Sequence, residues 1–478
     1  MFGQNSRRDD VVLTSVFLLY VALVCTVAWH HEPWFDEGQA WLIARDSGLT
    51  EILCERVRYE GTPGLWHLML FLPAKLGLPY ATLTLISVVI AVATVYLFLR
   101  YSPFPWYVKL IFPFGFFTLY QYAVVARSYG PMALLLVAIA ALFHKRNRHP
   151  ILFFTLLALL ANANAHGFII AGFLAVYHLW HLWLDRSEMG AKCLWQHGIG
   201  ALVLGLIAIL VVILVRPPDD LCVPGMGIKP WNARMLLDAF TPYRYLSVVV
   251  LAASMLWFAR QKTLHLWAGP TVALLWLFIF KCGSPWHQGV IYYYWVFCVW
   301  LSWQTEAGRR AASQTPPHAW AFRGAAATLT LVVAFHVYWG VVCSYHDVLY
   351  PYSGSREAYA YLAEHHLDQR EIYAQGFSTV SVLPYFTQNI FDNYHDKQNP
   401  SYFLWAKGNP LMTRSPSVCG KAPEFVLVGV KYKHDHGLAR PEYQLIRRFE
   451  GRMFWKDTIL ERDSLHLYRR RTAEVAAN

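Results

Sequence analysis

Residues 11–29 read VVLTSVFLLYVALVCTVAW, and residues 30–41, which follow directly, read HHEPWFDEGQAW. The first stretch carries no charge, and at 1.5 Å per residue it is long enough to cross a hydrocarbon core of about 30 Å. It follows Arg7 and Arg8 and has no small-residue cleavage pattern behind it, so it reads as a retained first span with its N-terminus in the cytoplasm. The second stretch then emerges on the opposite face. It carries two adjacent carboxylates, Asp36 and Glu37, among aromatic side chains.

The rest of the chain repeats the first signal. Of 478 residues, 56% are hydrophobic and 15% charged, whereas soluble domains carry about 25% charged residues. Apolar runs recur at Val11–Trp29, Ala81–Arg100, Gly200–Val215, Ala268–Phe280 and Ala325–Val342, and the pattern stops after Cys343. The net charge is +11, but from Ser344 onward 17 Lys and Arg face 15 Asp and Glu, so the basic surplus lies in the membrane region. That distribution marks cytoplasmic loops, and nucleic acid is not an expected partner. The eight cysteines form no CxxC spacing and read as small core residues without a disulfide framework.

Five basic stretches sort the loops: Arg100–Lys109, His144–His149, Asp185–Lys192, Arg260–Lys262 and Glu306–Arg323. All five are expected in the cytoplasm. A pair of helices then separates each from the next, and the loop 30–80 stays outside. Within it, Pro63–Leu78 is broken by Pro63, Gly64, Pro73 and Gly77 and carries His67 and Lys75, which suits an interfacial juxtamembrane helix. If Pro63–Leu78 crossed instead, His144–His149 would fall outside. The resulting expectation is a polytopic α-helical membrane protein with about eleven transmembrane helices over 1–343 and a small C-terminal α/β soluble domain over 344–478, outside the cytoplasm. In that domain Arg356–His366 has helical spacing. Glu371–Gln375, Ile390–Tyr394, Phe425–Lys431, Tyr443–Phe449 and Ser464–Arg470 read as strands.

The outer face collects the chemistry. Trp34 and Phe35 lower the dielectric around Asp36, an environment that suits a general base, although the Asp36-Glu37 pair would equally cap a helix over Glu37–Ala44. Glu60, in YEGTPGLW (59–66), is a third carboxylate there, or a solvated turn residue. Arg127, in YQYAVVARSYG (120–130), is a cation within apolar sequence; it can hold a phosphate bidentately or snorkel to lipid headgroups. His166 in NANAHG (162–167), Lys281 and His287 in KCGSPWH (281–287), Arg216 and Arg244 map to the same face. Cations beside carboxylates describe a site for a phosphate-bearing substrate with a base nearby. No His-x-x-x-His or carboxylate cluster has metal-ligand spacing, so no metal ligand is assigned and a need for a divalent cation stays open.

Three motifs in register resemble the GT-C superfamily of membrane glycosyltransferases, particularly the branch of protein O-mannosyltransferases and lipid A aminoarabinose transferases. They are Asp36-Glu37 followed by Gln39-Ala40-Trp41, Glu60-Gly61-Thr62-Pro63-Gly64-Leu65-Trp66, and Ala126–Tyr129. The resemblance covers roughly residues 10–200 and extends beyond only as architecture. It implies a polyprenyl-phosphate sugar donor in the membrane lipid, with Asp36 and Glu37 as catalytic carboxylates. It further implies Arg127, His166, Lys281 and His287 as the donor phosphate site, with Glu60 and Tyr129 positioning donor or acceptor. Protein O-mannosyltransferases carry an acid shortly after the second-loop arginine. This chain has Ser128-Tyr129-Gly130-Pro131, which favours a glycan or lipid acceptor over protein. The location implied is a bacterial inner membrane. Two rivals remain on sequence, a transporter or lipid flippase, for which no internal repeat is visible, and a scaffold presenting the tail domain.

Overall fold

In a bilayer every backbone N–H and C=O must find its partner within the segment, so long apolar sequence has the helix as its stable form. The structure, a computed structural model describing residues 7–223, 227–312, 319–412, 422–430, 438 and 440–471, is accordingly helical as far as Leu349. Counting helices of eight residues or more, these are α1 (Arg7–His30), α2 (Phe35–Asp46), α3 (Leu65–Lys75), α4 (Thr82–Tyr101), α5 (Tyr129–Leu142) and α6 (Pro150–Ala163). Then follow α7 (Ala165–Leu184), α8 (Ala191–Leu214), α9 (Arg244–Arg260), α10 (Leu264–Phe280), α11 (Gln288–Ala312) and α12 (Ala319–Leu349).

Among the described residues five helices are long and apolar enough to cross a membrane: Asp10–His30, Thr82–Tyr101, Ala165–Leu184, Ala191–Leu214 and Trp320–Leu349. Tyr129–Lys145, Pro150–Ala163 and Leu264–Phe280 are apolar but shorter, below the roughly 20 residues of a perpendicular crossing. Length therefore supports a multi-span membrane protein without reaching the expected count of about eleven. The α3 helix has 11 residues, far short of a crossing, and lies against α2.

The hub is α11. Every side chain from His287 to Trp303 is buried, as expected of a helix apolar on all sides. Two indoles pair with serines across its surface: Trp295 Nε1 donates to Ser254 Oγ at 3.0 Å and Trp257 Nε1 to Ser302 Oγ at 2.8 Å. Ring contacts also join the far ends of the bundle. Phe104 meets Trp303, Trp303 meets Trp257 and Phe322, and Phe143 meets Phe297. Cys193 Sγ reaches the Asn147 carbonyl at 3.5 Å. The five basic stretches thus flank one end of the bundle, although residues 313–318 of the last lie outside the described residues.

The α12 helix continues six residues past Cys343, and the C-terminal domain opens with α13 (Ser355–Glu364). Its strands are β1 (Ile372–Gln375), β2 (Phe425–Val430), β3 (Tyr443–Phe449), β4 (Met453–Trp455), β5 (Thr458–Glu461) and β6 (Ser464–Arg470). A four-stranded sheet has the order β1-β2-β6-β3, with β1 and β2 parallel and the other pairs antiparallel. Lys431, at the end of one expected strand, lies outside the described residues. The strand expected at Ile390–Tyr394 does not form. There the Asp392 and Asn393 side chains, at 2.8 Å each, take the Ile372 and Ala374 amides that a ladder would use, a local competition these residue types favour.

The parallel pair obliges the chain to leave the sheet after β1 and return at β2. Residues 376–412 of that crossover pack against α2. Arg45 donates to the Phe386 carbonyl at 2.7 Å, the Ser401 amide to Asp46 at 2.7 Å, and Tyr402 to Glu51 at 2.9 Å. The β4–β5 hairpin makes a second attachment. Its turn residue Lys456, at φ +59°, is buried; Nζ donates to Gln288 Oε1 at 2.7 Å and to the Asp238 carbonyl, and sits 4.0 Å from the Trp339 ring centroid. Burial brings the Lys456 ammonium down to about 7, so Lys456→Ala removes a buried donor that is only partly charged near neutral pH, a loss of roughly 1–3 kcal/mol. Limited proteolysis is expected to cleave between Leu349 and Ser355 faster in this variant than in wild type; equal rates would mean that the hairpin does not hold the domain.

Candidate functional site

The start of α2 sets the geometry. Trp34 is extended ahead of the helix, and its amide donates to Glu37 Oε2 at 3.2 Å, so Glu37 supplies the cap. The other oxygen, Oε1, accepts the Ala126 amide at 2.6 Å. One residue along on each chain, Arg127 Nη2 meets Asp36 Oδ2 at 2.7 Å. Asp36-Glu37 and Ala126-Arg127 are therefore joined by two adjacent rungs. The segment carrying Ala126 descends from a π-helical turn at Phe116–Gln121, a distortion common at functional sites.

The two carboxylates have separate roles. Glu37 is fully buried and engaged by His31, Trp34 and Ala126. Asp36 is partly exposed and lines a cavity of about 360 Å³. Glu60, Arg127, Tyr129, His166, Lys281 and His287 line the same cavity. Seven of the ten residues singled out in the sequence thus share one space, and Glu37 stands behind them. Arg216 and Arg244 do not join: the Arg216 carbonyl accepts from Arg58 at 3.0 Å, and Arg244 pairs with Asp238 at 3.2 Å.

Arg127 is boxed by aromatic rings, with Trp34, Tyr129 and Trp286 at 5.7, 5.2 and 5.0 Å. Flat faces confine a guanidinium while leaving its edge for hydrogen bonds. Its Nη1 is buried without a partner. So are His166 Nδ1, Thr62 Oγ1, Trp66 Nε1 and His67 Nδ1, all on residues of the same wall. Buried polar atoms are ordinarily satisfied, so a cluster of unsatisfied ones around a cavity points to a polar ligand.

Glu60 is held by Gln39, whose Nε2 donates to it at 2.8 Å and to the Phe403 carbonyl at 2.7 Å, while the Phe403 amide returns a bond to Gln39. Burial pushes the Glu60 carboxyl up to about 7; the Gln39 bond opposes this and the nearby Asp36 charge adds to it. At His287, burial, His166 and Arg127 all push the imidazole well below its usual range. Its Nδ1 accepts the Ser284 amide at 3.1 Å, leaving Nε2–H as a neutral donor. His166 is set by Asn164, whose Oδ1 caps α7 by accepting the Gly167 amide at 2.8 Å.

Several wall residues escaped the sequence reading. Asn164 was open to discovery, since Asn ahead of a helix is a standard cap. Trp286 stands beside residues that were identified. Trp405 had no local signal; it arrives on the crossover, where its carbonyl accepts the Cys222 amide at 2.9 Å, and with Phe377 and Phe403 it encloses Phe35. The architecture defines a helical membrane protein with a C-terminal sheet domain and a polar cavity where they meet. Comparison with protein-family models, curated proteins and solved structures finds no match.

Because its folded pKa lies above its unfolded one, Glu60 retains a proton in the folded chain between about pH 4.5 and 7 that the unfolded chain has lost. Its contribution to stability therefore falls as pH rises through that window. Glu60→Gln is expected to raise Tm above wild type at pH 8 but not at pH 5 in thermal scans of detergent-solubilised protein. An equal difference at both values would exclude the buried carboxyl as its cause.

Proposed function

We propose that this chain is a membrane glycosyltransferase that moves a sugar from a polyprenyl-phosphate-linked donor to a glycan, lipid or protein acceptor outside the cytoplasm. The observation that carries the reading is the meeting of Asp36, Glu60, Arg127, Tyr129, His166, Lys281 and His287 around one cavity. Carboxylates beside guanidinium and ammonium groups suit a hydroxyl nucleophile and a phosphate leaving group together.

In the reaction, Asp36 takes the proton of the acceptor hydroxyl, and that oxygen forms a bond to the anomeric carbon opposite the phosphate. The bond from carbon to phosphate oxygen breaks, its electron pair leaves with the polyprenyl phosphate, and the configuration inverts. Arg127 and Lys281 supply the positive charge. Arg127 Nη2 holds Asp36 while Nη1 is left for a phosphate oxygen. His287 donates a hydrogen bond and no charge, and Glu60 and Tyr129 position the sugars.

An apolar groove supports a lipid-linked donor. Ile169 and Phe173 on α7 and Gly269, Val272 and Trp276 on α10 line about 730 Å³ of it. It lies on the same two helices that give His166 and Leu277 to the cavity wall, and shares Phe173 with a further groove lined by Val176, Trp180 and Leu266. An isoprenoid chain would lie there with its phosphate in the cavity. The proposed arrangement in the membrane has eleven crossings in a bacterial inner membrane, with the five basic stretches inside and the cavity and tail outside. The separation of those stretches from the cavity along the bundle supports it.

Purified protein would be given radiolabelled polyprenyl-phosphate sugars and cell-envelope acceptors, with and without divalent cations. Asp36→Asn is expected to lower transfer by roughly 10²–10⁴-fold. Equal transfer would remove Asp36 as the base, and no transfer by wild type with any donor would sink the reading in favour of a transporter, flippase or scaffold. Orientation is tested by single cysteines at Arg148 and Glu364, both exposed, in a background without the native ones. An impermeant thiol reagent on intact cells is expected to label the second only; labelling of Arg148→Cys would reverse the topology.

A further inference from the structure

The two rungs between Asp36-Glu37 and Ala126-Arg127 are backed by a group outside the cavity. His31, one residue beyond α1, uses both ring nitrogens, Nε2 to Glu37 Oε2 at 3.1 Å and Nδ1 to Asp347 Oδ2 at 2.9 Å. All three side chains are buried, at 0%, 0% and 1% exposure. Asp347 lies near the end of α12, so the contact ties the end of the first membrane helix to the end of the last. The tail reinforces it: Arg356 donates to the His31 carbonyl at 3.0 Å and Ser355 Oγ to the Pro33 carbonyl at 3.2 Å.

We infer that His31 and Asp347 are positioning residues of the transfer centre, acting through Glu37 to hold the Ala126-Arg127 segment against Asp36. The inference rests on the transferase reading above. Its chemistry follows from connectivity. Among the described residues His31 is the cation in ion-pair contact with Glu37, which must present one oxygen to the Ala126 amide while the other caps α2. An imidazole donating to two carboxylates must carry two N–H groups, which only the cationic ring has. Burial would lower the His31 pKa, but Asp347 and Glu37 outweigh it and hold the ring up at about 10. The cation thus fixes the Glu37 carboxylate in the orientation that the Ala126 bond requires. A small rotation of Glu37 would carry Arg127 with it, and reacting groups misplaced by about 1 Å can cost two orders of magnitude in rate.

The test compares wild type with Asp347→Asn, His31→Gln and the double variant in the radiolabelled transfer assay. Size-exclusion profiles and Tm establish that each is folded. Both single variants are expected to lower kcat roughly 10- to 100-fold while the acceptor KM stays within a factor of about three. The double variant is expected to be no slower than the slower single one, since both break one chain of contacts. Arg244→Gln, which removes an ion pair with Asp238 outside the cavity, is expected to keep kcat within about twofold. In histidine-labelled protein, ¹⁵N NMR should show a His31 imidazolium at pH 8.5 that Asp347→Asn shifts toward the neutral ring. Unchanged kcat in a folded Asp347→Asn, multiplying losses in the double variant, or a neutral wild-type His31 at pH 8.5 would overturn the inference while leaving the transferase reading intact. Absence of transfer by wild type with every donor would remove that reading and this inference with it.

Discussion

The site depends on one buried interaction, the carboxylate of Glu37 reaching across to the amide of Ala126. Without it, the Asp36–Arg127 ion pair would be an ordinary contact between a helix end and a loop, free to shear and weakened by water. With it, the two charges are fixed at neighbouring positions of segments that can slide only by breaking a buried hydrogen bond to an ionised group, worth about 1.5–3 kcal/mol. The aromatic rings of Trp34, Tyr129 and Trp286 then remove the remaining freedom of the guanidinium. The cost of holding charge in such surroundings is met by pairing, and the unpaired Nη1 of Arg127 belongs to a residue of the cavity wall.

Much of this was legible before any coordinates. Hydrophobic runs and basic loops suffice to separate the two ends of the bundle, because both follow from the bilayer as solvent. Charged or polar residues that interrupt apolar sequence, such as Arg127, His166 and Lys281, are expensive unless used, and that expense made them visible. The α2 cap was anticipated too, but the pair could not be divided: on paper Asp36 and Glu37 are equivalent neighbours, and only the side of the helix each occupies tells the capping residue from the one facing the cavity. Long-range partners were invisible for a simpler reason. His31 and Asp347 are 316 positions apart, and neither has a local pattern that names the other.

The crossing count illustrates a different limit. Charge in loops reports on sidedness, whereas helix length reports on thickness, and the two disagree for α5, α6 and α10, which fall short of a perpendicular crossing; a bilayer meets a short apolar helix by thinning locally. Likewise the segment Ile390–Tyr394 has strand-like composition, yet Asp392 and Asn393 satisfy the β1 edge through side chains. Local propensity was overruled there by a cheaper local hydrogen bond.

The parallel pairing of β1 with β2 has a consequence for how such a protein can diversify. A hairpin between those strands would have needed a few residues and left nothing over the membrane helices. The detour that parallel pairing imposes is anchored at both ends in a sheet, so it can change without altering the strands, except where Phe377, Phe403 and Trp405 pack on Phe35 and the Phe403 backbone holds Gln39. Trp405 and Phe403 ride on that detour. The crossover thus reaches the cavity wall through Trp405, whereas Asp36 and Arg127 sit on elements of the membrane helices.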